Sequence, residues 1–281
     1  MTAPVEGAAC RRVLVTGATG NVGREVVAAL TRRGLEAHAP ARPDFDLTAP
    51  ATFAPALAGC DGLFLMRPPA ISDVAATLHP LVDAARLAGV RLVVFLSVAG
   101  ADTNRLVPHH KTERYLRAGS VPWTFLRPGF FAQNLGDAYR RDLVEDDRLF
   151  VPSGRGQVAW VDVRDVAEVA VNAFAAPAAH AGTGYPLTGP EAVGFAEVAA
   201  LLTAALGRPI RYQPASILAY VRHLRRDRDQ PWMQAIIQTV LHVELRRADA
   251  RRVDPTLARL LGRSPRTIAD YVRDHAALWA R

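Results

Sequence analysis

A chain of 281 residues, half of them hydrophobic and 22% charged, has ordinary globular composition and the length for one large α/β domain or a domain and a half. Its net charge of +7 is carried by arginine, with Lys111 the single lysine, and reads as a compositional habit and not as a nucleic-acid footprint. Two cysteines, Cys10 and Cys60, make neither a disulfide framework nor a metal set, the start MTAPVEGAAC lacks a signal pattern, and no apolar stretch is long enough for a bilayer, so a cytoplasmic protein without metal, membrane or nucleic-acid partner is expected.

Residues 1–10 are expected to be a loose tail. The chain is organised around Arg11 to Val27, RRVLVTGATGNVGREVV. Val13-Leu14-Val15 reads as a buried strand that breaks into a glycine turn, after which Val26, Val27 and Leu30 recur at helical spacing. Strand, glycine turn and helix form the context of a dinucleotide fingerprint. Gly17 permits the tight turn, Gly20 lets a pyrophosphate approach the backbone, and Gly23 lets the helix pack close, while Thr19, Asn21 and Val22 complete the loop at the helix N-terminus. The spacing is G-x-x-G-x-x-G, which differs from the G-x-G-x-x-G form.

Gly34 ends the first helix, and Leu35 to Ala39 is a second strand. Arg42 stands where such folds place the residue that reads the adenosine ribose. An arginine there suits the 2′-phosphate of NADP(H), so NADP(H) is preferred and NAD(H) remains possible. Asp46 is close enough in sequence to reach the adenine. The link through Asp46 is short, with a customary helix and strand missing, and Thr48 is expected to cap the helix that has Pro50 in its first turn.

Leu63 to Met66 is a buried strand running into Arg67. A helix spans Asp73 to Leu87, and Leu92 to Leu96 is the next strand, ending at Ser97. Strand ends at the carboxyl edge of a parallel sheet bind ligands, which makes Met66, Arg67 and Ser97 candidate cofactor contacts. His109-His110-Lys111 opens a short helix that stops at Gly119, and Trp123 to Leu126 is a strand followed by Pro128, Phe130, Phe131 and Asn134. The segment 158–175 reads as a turn feeding a helix in which Asp162 and Asp165 serve as caps. Gly184 to Thr188 is a strand and Phe195 to Leu206 a helix. Beyond Pro214 the chain is helical with basic faces. Alternating strands and helices give an α/β fold, a Rossmann-like doubly wound parallel sheet with a smaller, mostly helical C-terminal substrate lobe. The expected division is a dinucleotide-binding domain over 11–175, with 128–150 lining a cleft, and a partly interleaved lobe over 176–281.

VTGATGNVG, FDLTAP, HHKTE, WTFLRPGFFAQN, WVDVRDVAEVA and YPLTGPEAVGFAEVA, in this order, resemble the NmrA-like atypical short-chain dehydrogenases/reductases from about Val13 to Tyr212. The resemblance implies a Rossmann core binding NAD(P) and a C-terminal substrate lobe. Such proteins include quinone, dye and iminium reductases as well as regulators that bind the cofactor without turnover. It also implies that Pro128 and Phe130 lie by the nicotinamide and that Phe131 and Asn134, with Trp160 and Trp232 as walls, meet a flat substrate.

One departure constrains the chemistry. Short-chain dehydrogenases use Tyr-x-x-x-Lys, in which lysine lowers the pKa of a proton-donating tyrosine. Here Val107 precedes Lys111 by four, and registering on Glu113 places His109 and Arg105 at the dyad positions, so no dyad exists. His109, His110 and Lys111 are the candidate catalytic residues, with His109 first, because consecutive helical residues cannot all face one site. Without a dyad the expected reaction is hydride transfer to a small conjugated or pre-activated acceptor such as a quinone or iminium ion. The alternative is a non-catalytic NADP(H)-binding redox sensor. The oligomeric state is left open.

Overall fold

The structure, a computed structural model, describes residues 8–69 and 71–281. The chain runs β1 (Arg12–Val15), α1 (Asn21–Arg32), β2 (Glu36–His38), α2 (Phe53–Leu57), β3 (Gly62–Met66), α3 (Val74–Leu87), β4 (Leu92–Leu96), α4 (Pro108–Ala118) and β5 (Trp123–Pro128). It continues through α5 (Arg140–Glu145), β6 (Arg148–Val151), β7 (Gln157–Val158), α6 (Val163–Ala175), α7 (Pro177–His180) and β8 (Thr183–Leu187). The remainder is β9 (Val193–Gly194), α8 (Phe195–Leu206), β10 (Arg211–Pro214), α9 (Ile217–Arg226), α10 (Trp232–Glu244), α11 (Thr256–Leu261) and α12 (Ile268–Asp274).

Two units divide these elements. The first holds the described residues up to Pro128, with Val163–Leu187 and Arg259–Gly262. The second holds Gly129–Asp162, Thr188–Ala258 and Arg263–Arg281. The segment 129–162, expected within the 11–175 span, therefore clusters with the second unit.

The first unit is built on a six-stranded parallel sheet of order β2-β1-β3-β4-β5-β8. Its strands are short apolar runs, and alternate residues point to opposite faces. Leu14, Leu63, Leu65, Val93 and Phe95 pack with Phe53, Leu57, Leu78, Leu81 and Leu116 from α2, α3 and α4. On the other face, α1 and α6 pack together, with Val26, Leu30, Val166 and Phe174 buried. A Cβ on Gly62 of β3 would lie 3.0 Å from the Phe174 ring, which shows how closely α6 covers the sheet. Both faces are covered, as a doubly wound sheet requires. Strand order reverses at β1, between β2 and β3, and this switch point sets the carboxyl ends of β1 and β3 side by side.

Several local expectations are corrected. Of the expected tail, residues 1–7 lie outside the described residues. Cys10 is buried and its N–H donates to Phe174 O at 2.8 Å, while Arg91 donates to Ala8 O and Ala9 O. Residues 8–10 are thus held against the first unit. Thr48 caps no helix: a 3-10 turn, Pro50–Thr52, starts after Ala49, and the Thr48 hydroxyl instead donates to Asp46 Oδ1 at 2.7 Å. Asp46 had already claimed that hydroxyl.

After Pro214 the regular elements of the second unit are all helical, as expected, and its strands precede them. β10 pairs in parallel with β6, and β7 pairs antiparallel with β9. Its core is aromatic, with Tyr139, Trp160, Phe195, Tyr220, Tyr271 and Trp279 buried together. The buried polar atoms of these rings are engaged: Trp160 Nε1 donates to Val193 O and Trp279 Nε1 to Leu135 O, each at 2.9 Å. No helix among the described residues is long and apolar enough to cross a membrane.

Candidate functional site

The glycine turn leaves β1 at the switch point. Gly17 has φ +65°, a left-handed conformation that disfavours any side chain, and a Cβ there would lie 2.9 Å from Met66 Cγ. The turn and the end of β3 are therefore in direct contact. Thr16, which sequence reasoning passed over, fixes their spacing. Its buried hydroxyl accepts from Met66 N at 2.9 Å and donates to Phe64 O at 3.1 Å. A threonine as the last residue before a glycine turn was the available signal. A Cβ on Gly23 would sit 2.6 Å from the Gly17 carbonyl carbon and closer still to its oxygen, so the first turn of α1 rests on the loop backbone.

Gly20 differs from both. It is the N-cap of α1, and a Cβ there would meet only Gly17 O, at 3.4 Å. Protein packing does not demand glycine at this position. Glycine leaves open space above a helix N-terminus that has no side-chain cap and no acidic residue in its first turn. A pyrophosphate fits such a cradle, because the first-turn N–H groups and the helix dipole favour an anion. Thr19 is exposed at the tip of the loop, and Asn21 Oδ1 accepts from Arg24 at 3.0 Å. Val22 is buried, so its side chain belongs to the core and only its backbone can serve a ligand.

Arg42 lies beyond β2 with its side chain 81% exposed and 3.6 Å from Asp46 Oδ2. Two hydrogen bonds from Thr48 hold the Asp46 carboxyl below the usual range, with Arg42 adding to them. Asp46 thus orients Arg42 from within the loop. Arg67 is half-buried and donates to Pro68 O, Pro69 O and Ile71 O, while its Nε is buried without a hydrogen-bond partner among the described residues. An unsatisfied guanidinium donor at the end of β3 suits a polar cofactor group.

Ser97 is not available as a cofactor contact, which corrects the expectation for it. It is buried and donates to Glu113 Oε1 at 2.7 Å. Glu113, fully buried on α4, also accepts from Arg127 Nε at 2.9 Å, Arg127 Nη2 at 2.7 Å and Arg117 Nη2 at 3.2 Å. This bidentate pair ties α4 to the end of β5, and the single acid among the buried positions of α4 was its only trace in the sequence. Pro128, buried at the end of β5, accepts from Ala99 N at 3.0 Å and remains at the carboxyl edge of the sheet.

The three residues of His109-His110-Lys111 separate. His109 is buried on α4, with Phe95 6.0 Å away centroid to centroid. Burial, assisted by the Arg67 charge and opposed by Glu113, lowers its pKa to about 4. It is a neutral imidazole near pH 7, able to give a hydrogen bond but not to serve as an imidazolium acid. His110 is held at Nδ1 by Ala101 O at 2.8 Å, and Lys111 is exposed.

The second unit places the remaining candidates. Phe131 is half-buried beside the bridge it makes with Val161, and Asn134 is half-buried with its carbonyl accepting from Tyr139 N. Phe130, half-buried, packs its ring against Trp160 at 5.1 Å and against Phe195 and His242 at the edge of the aromatic core. Trp160, 2% exposed, is a core residue and not a pocket wall. Trp232 errs the other way: it is 62% exposed, with the Arg225 guanidinium 5.0 Å from its ring. Among the described residues no group of His, Cys, Asp and Glu is arranged to hold a metal.

Comparison with known proteins agrees with this architecture. NAD(P)H azoreductase of Xenophilus azovorans is 34% identical over 94% of this chain and 98% of its own. Quinone oxidoreductase 2 of Escherichia coli is 28% identical over 73% of this chain and 78% of its own. The triphenylmethane reductase of Citrobacter sp., solved with NADP(H), superposes with a TM-score of 0.79 at 22% identity, covering 94% of this chain and 99% of that one. The model of the NmrA-like family matches residues 10–271, and the chain belongs to that family.

Proposed function

We propose that this protein is an NAD(P)H-dependent reductase, with NADP(H) preferred, that transfers hydride to a small conjugated or pre-activated acceptor such as a quinone, an iminium ion or an azo compound. The observation that carries the proposal is the glycine turn: Gly17 and Gly23 are fixed by packing, whereas Gly20 is glycine only to leave space at the α1 N-terminus. The names of the azoreductase and the quinone oxidoreductase support the acceptor class.

A bound NAD(P)H supplies the hydride. The chain's own residues bind and orient. The α1 N-terminus takes the pyrophosphate, Arg42 pairs with the ribose 2′-phosphate, and Arg67 Nε offers a donor at the end of β3. His109, neutral, gives or accepts one hydrogen bond and holds no transferable charge at pH 7. Lacking a Tyr-Lys dyad, the chain has no strong acid for a ketone oxygen. Hydride transfer from a positioned donor suffices where the reduced acceptor is a stabilised anion or a neutral amine, because orientation alone contributes about 7–11 kcal/mol in favourable cases.

The test is oxidation of NADPH and NADH by the purified protein with quinones, azo dyes, iminium ions and simple ketones. Turnover of the first three classes and not of ketones is expected. Tight NADPH binding without turnover on any acceptor would move the assignment to a redox sensor, and efficient ketone reduction would reveal a proton donor elsewhere.

A further inference from the structure

α10 is amphipathic in the reverse sense. Its buried residues are Ala235, Thr239 and His242, two small and one polar. Thr239 Oγ1 donates to Ala235 O, and His242 bonds the Tyr139 hydroxyl and Gln238 O. Its exposed residues are Trp232 at 62%, Met233 at 67%, Ile236 at 46%, Ile237 at 52%, Val240 at 54% and Leu241 at 58%. A surface helix normally turns its large apolar stripe inward. Here the stripe faces out and the polar side is anchored.

The exposed residues form two ridges at i, i+4 spacing, Trp232-Ile236-Val240 and Met233-Ile237-Leu241. Such ridges and the groove between them are what a second helix of the same pattern packs into. Each side chain exposes on the order of 100 Å², so α10 alone presents roughly 600 Å², the upper end for the largest patch on a monomer. Two copies meeting on this face would together bury roughly 1,200 Å², the lower end of the range for stable interfaces. The flanks carry exposed charges of both signs, Arg226, Asp227 and Asp229 before the helix and Glu244, Arg246 and Arg247 after it. A mixed rim fits a protein partner, whereas an anionic lipid surface selects a uniformly basic one.

We infer that α10 is a homodimer interface, packed antiparallel against α10 of a second copy about a two-fold axis near Ile236 and Ile237. An isologous contact of this kind uses one patch twice and closes at two subunits. The inference is independent of the proposed activity.

Sedimentation analysis of the wild-type protein over a micromolar concentration series should give the mass of two chains at the upper end. The Ile236→Asp/Val240→Asp variant should sediment as one chain with an unchanged circular dichroism spectrum, and its melting temperature should lose the concentration dependence that a dimer shows. Ile237→Cys, placed near the axis, should form an intermolecular disulfide under mild oxidation; Cys10 and Cys60 are buried and cannot substitute for it. A wild-type monomer at every concentration, or a dimer that survives the double variant, would overturn the inference. A monomer that co-sediments with anionic phospholipid vesicles through α10 would assign the face to lipid and overturn it equally.

Discussion

Gly20→Ala separates fold from ligand more cleanly than any other single change. Its backbone, φ −82° and ψ 170°, is open to every residue, and the added methyl would meet only Gly17 O at 3.4 Å. Alanine is a poorer N-cap than glycine by about 1 kcal/mol, and it recovers about 0.4–1 kcal/mol by restricting the unfolded chain. The two nearly cancel, so the melting temperature should move by no more than about 2 °C. The methyl does occupy the space through which a pyrophosphate would reach the α1 amides, and the NADPH dissociation constant should rise at least about tenfold, or about 1.4 kcal/mol. Calorimetric titration with NADPH reads the affinity, and a thermal melt without nucleotide reads the fold. Gly23→Ala is the contrast: its methyl would be forced into the Gly17 peptide, which is backbone and cannot turn aside, at a cost of about 3 kcal/mol in stability. An unchanged NADPH affinity in Gly20→Ala would refute the reasoning, because the glycine would then have no ligand to accommodate.

Further consequences are open to measurement. Arg42→Ala should weaken NADPH by about tenfold to a hundredfold and leave NADH unchanged, as expected for loss of one charge-assisted contact to a phosphate; an unaltered NADPH-to-NADH preference would remove Arg42 from the site. Lys111→Ala should leave kcat within about twofold, since an exposed lysine without buried partners contributes little. Glu113→Ala should destabilise by about 3–5 kcal/mol in chemical denaturation, because Arg127 would be left buried without its bidentate partner. His109 and His242 are both held at a pKa of about 4, chiefly by burial, against 6.5 when unfolded. The unfolded chain therefore binds protons that the folded one refuses, so stability is full above pH 6.5 and falls between 6.5 and 4, by about 3 kcal/mol per histidine at the lower end. Denaturation at pH 7.5 and 4.5 should show that fall, and His109→Gln should roughly halve it, leaving the share of His242.

The legible parts of this protein were those set by local chemistry. Three glycines at three-residue spacing after an apolar strand carry their own geometry, and uninterrupted apolar runs such as Leu92–Leu96 mark strands buried on both faces. What escaped depends on partners distant in sequence. β6 and β10 are four residues each and pair 63 positions apart (Arg211 with Arg148), so neither announces itself by periodicity. Ser97 reads as a ligand contact until Glu113 from the next helix claims its hydroxyl. Trp160 and Trp232 look alike as candidate walls, yet one fills the core and the other lies on the surface, a distinction made by tertiary packing and not by residue type. WMQAIIQTVLHV puts Gln234, Gln238, Thr239 and His242 on one side and its large apolar residues on the other, so periodicity alone would bury the very stripe that α10 exposes.

His109 and the missing dyad bear on one question, namely where a proton would come from. In the usual short-chain dehydrogenase a lysine cation lowers the pKa of a tyrosine so that it can donate. Here the histidine that falls at the lysine position is buried and neutral, with Arg67 making protonation harder still. A histidine so placed is a poor acid and a poor substitute for the lysine charge, but it is a good neutral hydrogen-bonding group that does not disturb a stabilised anionic product. In the proposed reaction the rate therefore follows acceptor reduction potential and fit, not the ionisation of a side chain. The log of kcat/KM should stay flat between pH 6 and 8 for a quinone. A bell-shaped profile with a limb inside that range would show a side chain exchanging its proton during turnover and would refute this reading.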